Sequence, residues 1–134
     1  MSVFDSPRFL RNVLIVDAVS GAGSSLLHML GAGLLASWFG LPYGVLVMSG
    51  AVLLVYVAIA SYVATCDPIP RPLVALLIAG NWAWVGASAV VFFMESGTLT
   101  SLGQAYVVIQ ALAVAALAEL EWFGLRRAPR VGWA

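Results

Sequence analysis

Four polar side chains lie inside long apolar stretches of this sequence. Asp17 lies in the first stretch, Asn81 in the third, and Glu119 and Glu121 near the end of the fourth. A charged side chain at the centre of a membrane helix costs about 2.5–3.5 kcal/mol on insertion scales, so it is expected to face protein or water rather than lipid. Because withdrawal from water disfavours the charged form of a carboxylate, such groups suit proton uptake and release. These residues predict a membrane-embedded binding site or a proton-coupled small-molecule transport site.

The depths of these side chains support a single site. If depth is counted from the arginines that flank the stretches, helix rise places Asp17 about 9 Å, Glu119 about 10 Å and Asn81 about 12–15 Å into the membrane. Three separate helices therefore bring polar groups to the same half of the bilayer. We interpret this agreement as one polar cluster in the cytoplasmic half.

The two glutamates of the fourth stretch cannot face the same partner. They are two residues apart, which turns their side chains about 160° away from each other on a helix. We favour Glu119 as the inward residue because it lies deeper and has less freedom to reach the interface. Glu121, which shares a helix stripe with Gln110, is interpreted as the partner of an interfacial arginine such as Arg8 or Arg11.

Neighbouring polar and aromatic side chains complete the predicted site. Ser20 shares a helix face with Asp17, Tyr62 offers a hydroxyl, and Trp82 or Trp84 could stack on an apolar or cationic ligand. The predicted residues are Asp17, Ser20, Asn81, Trp82 and Glu119, with His28, Tyr62, Gln110 and Glu121 as secondary members. Each also has a purely structural interpretation, in which Asp17 bonds Asn81 or a serine and His28 is a neutral, hydrogen-bonded residue.

The composition predicts the elements that must hold these side chains. The chain has 134 residues, of which 63% are hydrophobic and 9% charged, and its mean hydropathy is +1.03. A soluble domain of this size could not cover its surface with so few polar residues. We predict an all-α integral membrane protein, one domain over residues 1–134, with four transmembrane helices in an up-down-up-down bundle. The spans are expected at about 13–39, 44–65, 73–94 and 102–125, each long enough to cross a bilayer.

The charge pattern predicts an orientation. All six basic residues are arginines, and they lie before the first span, in the second loop and after the fourth span. Arginine-rich segments stay on the cytoplasmic side, so both termini are predicted to be cytoplasmic, in a bacterial inner membrane. Because six acidic residues balance the arginines, we expect no nucleic-acid partner.

Two segments of the chain resemble each other. Residues 18–29 align with residues 83–94 without a gap, which would pair the first helical hairpin with the second. A two-helix unit repeated in this way would be a parallel repeat about an axis along the membrane normal. Chance is the alternative interpretation, because the chain is rich in alanine, glycine and valine.

The sequence lacks the motifs of common soluble enzymes and metal-binding proteins. One cysteine, Cys66, and one histidine, His28, exclude an internal disulfide and the usual metal clusters, and no nucleophile or phosphate-loop motif is present. We expect no cofactor and no enzyme activity. An intramembrane acid–base enzyme is the least favoured reading, because His28 lies about 16 Å along the helix from Asp17. The main alternative to transport is an accessory subunit of a larger membrane complex. In either role the chain is expected to contact the lipid bilayer and to form a homo-oligomer or a larger assembly.

Overall fold

The described part of the chain is helical. The computed structural model describes residues 6–128, and Arg130, which contributes to the orientation prediction, lies outside this range. The helices are α1 (Pro7–Leu30), α2 (Ala32–Phe39), α3 (Tyr43–Thr65), α4 (Arg71–Met94) and α5 (Ser101–Arg127). No strand occurs between residues 6 and 128, so the all-helical prediction is confirmed.

Four of these helices, α1, α3, α4 and α5, are long and apolar enough to cross a membrane. Large apolar side chains cover much of their outer surface, as at Leu30 and Phe93, which are 84% and 75% exposed. A soluble monomer seldom exposes continuous apolar surface, whereas lipid chains solvate it. The number of long apolar helices agrees with the sequence prediction.

The first apolar stretch differs from the prediction of one span over residues 13–39. The helix is interrupted at Gly31, whose backbone angles are φ −97° and ψ 8°. A Cβ atom at this position would lie 2.7 Å from the carbonyl oxygen of Leu27. Glycine therefore permits a local bend that another residue would resist, and the stretch divides into α1 and the short α2. Hydropathy could not reveal this bend because the residues on both sides are apolar.

Helix α2 ends at one end of the molecule with Gly40, whose backbone has the left-handed helical conformation. Gly40 has φ +70°, and a Cβ atom there would lie 1.9 Å from the carbonyl oxygen of Thr98. The amide of Thr100 donates a hydrogen bond to the carbonyl oxygen of Phe39 at 3.0 Å. The Thr100 hydroxyl accepts one from the amide of Gly103 at 3.0 Å, which makes Thr100 the N-cap of α5.

The proline-rich link closes the opposite end. Helix α4 begins at Arg71, slightly before the predicted start of the third span at residue 73, because proline is tolerated in the first turn of a helix. The Arg11 guanidinium donates to the carbonyl oxygen of Cys66 at 2.9 Å. The Arg71 guanidinium donates to the carbonyl oxygen of Ala128 at 3.2 Å. These contacts join the start of α1 to the end of α3, and the start of α4 to the end of α5.

Two apolar clusters occupy the interior. Helix α1 packs most extensively on α3, and α4 on α5. The first cluster contains Leu10, Leu14, Ala18, Ala60, Val63, Ala64, Val74, Leu77, Ile78 and Leu125. The second contains Ala32, Leu35, Phe39, Leu41, Leu46, Leu99 and Val107.

Candidate functional site

Side chains from all four long helices meet beside the first apolar cluster. They are Asp17 of α1, Tyr56 of α3, Asn81 of α4 and Glu121 of α5, and we call them the carboxyl cluster. Asp17 and Asn81 are each 4% exposed, and Glu121 is fully buried. Each helix turns its buried face towards this point, so the group is enclosed by the bundle.

The amide of Asn81 joins the two carboxyl groups. Its Nδ2 donates to Asp17 Oδ2 and to Glu121 Oε2, both at 3.2 Å. Because a side-chain amide has two N–H donors, this arrangement uses both of them. The Tyr56 hydroxyl donates a further hydrogen bond to Asp17 Oδ2. The two acidic side chains therefore accept three hydrogen bonds, all of them from neutral donors.

The acidic side chains of this cluster have no cationic partner among residues 6–128. The salt bridge recorded there is a surface contact between Arg11 and Asp67, with 3.9 Å between nitrogen and oxygen. The Oε1 atom of Glu121 is buried without a hydrogen-bond partner in the described structure. Asp17 and Glu121 both accept a hydrogen bond from the one amide of Asn81, which brings their carboxyl groups close together. The cluster therefore has more acceptors than donors when both carboxyls are ionised.

The prediction that Glu119 faces inward is wrong. Glu119 is exposed on the outer face of α5, and Glu121 is the buried residue. The stripe that Glu121 shares with Gln110 carried the correct signal, because helical packing is set by 3- and 4-residue spacing. Depth, which favoured Glu119, does not determine the direction in which a side chain points. The predicted pairing of Glu121 with Arg8 or Arg11 does not occur in the described structure either.

Three other predicted residues lie outside the carboxyl cluster. Ser20 is exposed, and its hydroxyl donates to the carbonyl oxygen of Asp17 at 3.0 Å within the same helix. Tyr62 and Trp82 are 62% and 44% exposed on the apolar outer surface. Asn81 and Trp82 are neighbours on α4 and so point about 100° apart, which separates them although they share a depth.

Tyr56 is the member of the carboxyl cluster that the sequence analysis missed. It lies seven residues after Ser49 on α3, and seven residues are close to two helical turns. This spacing places both hydroxyls on the face that packs against α1. A polar residue at that interval from Ser49 was the available signal.

A second polar group, the imidazole cluster, contains His28 of α1, Ser49 of α3 and Tyr106 of α5. His28 Nδ1 lies 2.8 Å from Ser49 Oγ, and His28 Nε2 bonds the Tyr106 hydroxyl. The Ser49 hydroxyl donates to the carbonyl oxygen of Leu46 at 2.8 Å. With that donor used, a neutral His28 donates from Nδ1 and accepts from Tyr106 at Nε2. The Tyr106 ring also stacks on Phe39, with ring centroids 4.5 Å apart.

A third group, the amide cluster, joins α4 to α5 through Gln110, Trp84 and Ser88. The Trp84 indole donates to Gln110 Oε1 at 2.7 Å. Gln110 Nε2 donates to Ser88 Oγ at 2.8 Å and to the carbonyl oxygen of Val107 at 3.1 Å. The Ser88 hydroxyl in turn donates to the carbonyl oxygen of Trp84 at 2.8 Å. Gln110, predicted as a secondary site residue, therefore lies in a different group from Asp17.

A cavity of about 110 Å³ lies between the imidazole and amide clusters. Its lining residues come from all four long helices and from the turn before α3. They are His28, Leu41, Val45, Leu46, Ser49, Trp84, Ala87, Ser88, Val91, Tyr106, Val107 and Gln110. The carboxyl cluster does not line this cavity, so the structure separates the acidic groups from it.

The carboxyl cluster differs in its chemistry from the imidazole and amide clusters. The carboxyl cluster can hold or release a proton, whereas the other two clusters contain neutral groups in closed hydrogen-bond networks. Among the described residues, no three histidine, cysteine, aspartate or glutamate side chains are grouped so as to hold a metal ion.

Comparison with known proteins gives no relative for this chain: no family model, no curated protein and no solved structure matches it. The fold therefore defines the class by itself. Over residues 6–128 the protein is all-helical, and four of its helices there are compatible with an integral membrane protein.

Proposed function

We propose that this chain is a membrane-embedded small-molecule binding or transport protein in which the carboxyl cluster takes up and releases a proton. The observation that carries the proposal is the contact of two buried carboxyl groups, Asp17 and Glu121, with the single amide of Asn81. The structure gives neither carboxyl a cationic partner within residues 6–128.

The physical reason is the cost of placing two negative charges together away from water. Like charges on neighbouring carboxyls oppose simultaneous ionisation, and burial opposes it further. One proton shared by Asp17 and Glu121 removes one charge and adds the donor that the cluster lacks. Gain or loss of that proton changes the hydrogen bonds between α1 and α5. The same two helices carry His28 and Tyr106 at the cavity, which provides a physical connection between proton binding and ligand binding.

We also propose that successive spans cross the membrane in opposite directions, with both termini on the cytoplasmic side of a bacterial inner membrane. The contacts of Arg11 with Cys66 and of Arg71 with Ala128 support it, since they group arginine-flanked helix ends. Arginines retained on one side of the membrane set this orientation. Because four helices enclose little volume, we propose that the working unit is a homo-oligomer.

An accessory subunit of a larger membrane complex is the second candidate. The close packing of the carboxyl cluster, whose Glu121 has no solvent exposure, favours it. In this role the amide of Asn81 would hold the helices together, and no proton would move during function. Purification of the chain in a fixed ratio with a larger complex, together with the absence of proton flux, would favour this candidate.

Proton flux into liposomes tests the first proposal. The purified full chain is reconstituted with a pH-sensitive dye inside the vesicles, and a pH gradient is imposed with and without candidate small molecules outside. We expect flux from the wild type, and its loss in Asp17→Asn and Glu121→Gln. Glu119→Gln is the matched control, because Glu119 is an exposed glutamate on the same helix. It should retain wild-type flux.

Infrared spectroscopy provides a readout that needs no ligand. A shared proton predicts a carbonyl band from a protonated carboxyl group at neutral pH. This band should disappear in Glu121→Gln and Asp17→Asn and persist in Glu119→Gln. A wild-type spectrum without the band, in a folded protein, would overturn the shared proton. Equal flux from wild type, Asp17→Asn and empty liposomes would overturn the transport function.

A further inference from the structure

We propose that the cavity between the imidazole and amide clusters binds an apolar hydrocarbon group, either a small hydrocarbon molecule or the end of a lipid chain. This inference names the ligand class within the proposed function. Its test does not involve Asp17 or Glu121, so failure of the proton proposal and failure of this one are distinguishable.

The hydrogen-bond donors around the cavity are already used within the protein. The neutral His28 donates to Ser49, Ser49 to Leu46, and Tyr106 to His28. In the amide cluster, both N–H donors of Gln110 and the indole of Trp84 are also used. A polar ligand would find no free donor among these described lining residues.

The cavity wall is almost entirely carbon, even though six of its residues carry polar atoms. The polar side-chain atoms are hydrogen-bonded within the protein, and aliphatic side chains such as Leu46, Val91 and Val107 form part of the wall. Burying a hydroxyl or amide without a partner is costly, whereas burying a hydrocarbon gains free energy. The lining therefore selects against polar ligands although its residue list contains histidine, serine and glutamine.

Size and access agree with this ligand. An apolar cavity of about 150 Å³ can hold a benzene molecule, and the present volume of about 110 Å³ is of the same order. Val45 and Ala87 belong to the wall and are also exposed on the outer surface. A hydrocarbon dissolved in the lipid can therefore reach the cavity between α3 and α4.

Tryptophan quenching tests this proposal, because Trp84 lines the cavity and Trp82 faces outward. Two full-length variants are compared in lipid vesicles, one keeping only Trp84 and the other only Trp82, with phenylalanine at the remaining tryptophan positions. Bromobenzene is the free probe, and lipids brominated near the chain end are the chain probe. We expect saturable quenching of Trp84 by one or both probes, and non-saturating quenching of Trp82. Saturation by bromobenzene would identify a free molecule as the ligand, and preferential quenching by the brominated lipid would identify a chain end.

Two controls define the expected result. Ala87→Leu narrows the opening and should abolish the saturable part of the Trp84 quenching without unfolding the chain. Benzene should compete roughly tenfold better than phenol, because the phenol hydroxyl would lose its hydrogen bonds. Equal, non-saturating quenching of both tryptophans would overturn the proposal. Better competition by phenol would overturn the selectivity for hydrocarbon.

Discussion

The carboxyl cluster and the imidazole cluster share helices α1, α3 and α5 but use hydrogen bonds in opposite ways. In the carboxyl cluster, Asn81 and Tyr56 supply the donors for two acids, and Glu121 retains a buried oxygen without a partner. In the imidazole cluster, each donor of His28, Ser49 and Tyr106 has an acceptor. The first group can therefore accept a proton, while the second is complete as a neutral network.

This difference separates a group that can gain a proton from a group that is complete without one. A buried network with all its members satisfied holds its helices in one arrangement. A partly satisfied network in low dielectric is costly unless another component completes it, and we propose that a proton does so in the carboxyl cluster. Asp17 and His28 lie eleven residues apart on α1, about 16 Å along the helix. Helix α1 thus contributes Asp17 to a titratable group and His28 to a neutral hydrogen-bond network.

Removal of the shared amide should produce the largest effect. Asn81→Leu leaves Asp17 and Glu121 without their common donor, and we expect the free energy of unfolding to fall by about 3 kcal/mol. Reversible unfolding in detergent micelles, followed by circular dichroism, measures this change. Trp82→Leu is the matched control on the same helix and should change stability by less than about 0.5 kcal/mol, because Trp82 lies on the outer surface. Similar losses in both variants would mean that the amide is not central to the cluster.

Deleting one hydroxyl from each cluster gives a direct comparison between them. Tyr56→Phe removes a donor to a carboxyl group, and we expect a loss of about 2 kcal/mol. Tyr106→Phe removes a donor to a neutral imidazole while the ring can still stack on Phe39, so the expected loss is about 1 kcal/mol. Both losses are measured in the same micelles. An equal or reversed order would contradict the assignment of the acidic cluster as the charged one.

The smallest predicted effects concern two serines on α1 between the clusters. Ser25 is buried and donates to the carbonyl oxygen of Gly50 at 2.7 Å, so Ser25→Ala should cost about 1 kcal/mol. Ser20 is exposed and bonds only within its own helix among the described contacts. Ser20→Ala should therefore stay within about 0.5 kcal/mol of the wild type. A larger loss at Ser20 than at Ser25 would return Ser20 to the candidate site.

Composition and periodicity were sufficient to predict the helical class and the long apolar helices, because apolar runs of this length are a property of the local sequence. They also predicted that Asp17 and Asn81 lie at a similar depth, since depth follows from residue count along a helix.

Tertiary structure decided the remaining features. The choice of Glu121 over Glu119, the participation of Tyr56 and the outward position of Trp82 depend on the rotation of each helix against its neighbours. The break at Gly31 depends on backbone geometry within a stretch of uniform hydropathy. Residue count along a helix determines the depth of a side chain in the bundle. The direction in which that side chain points is set by packing between helices, and this packing depends on the residues of all the helices together.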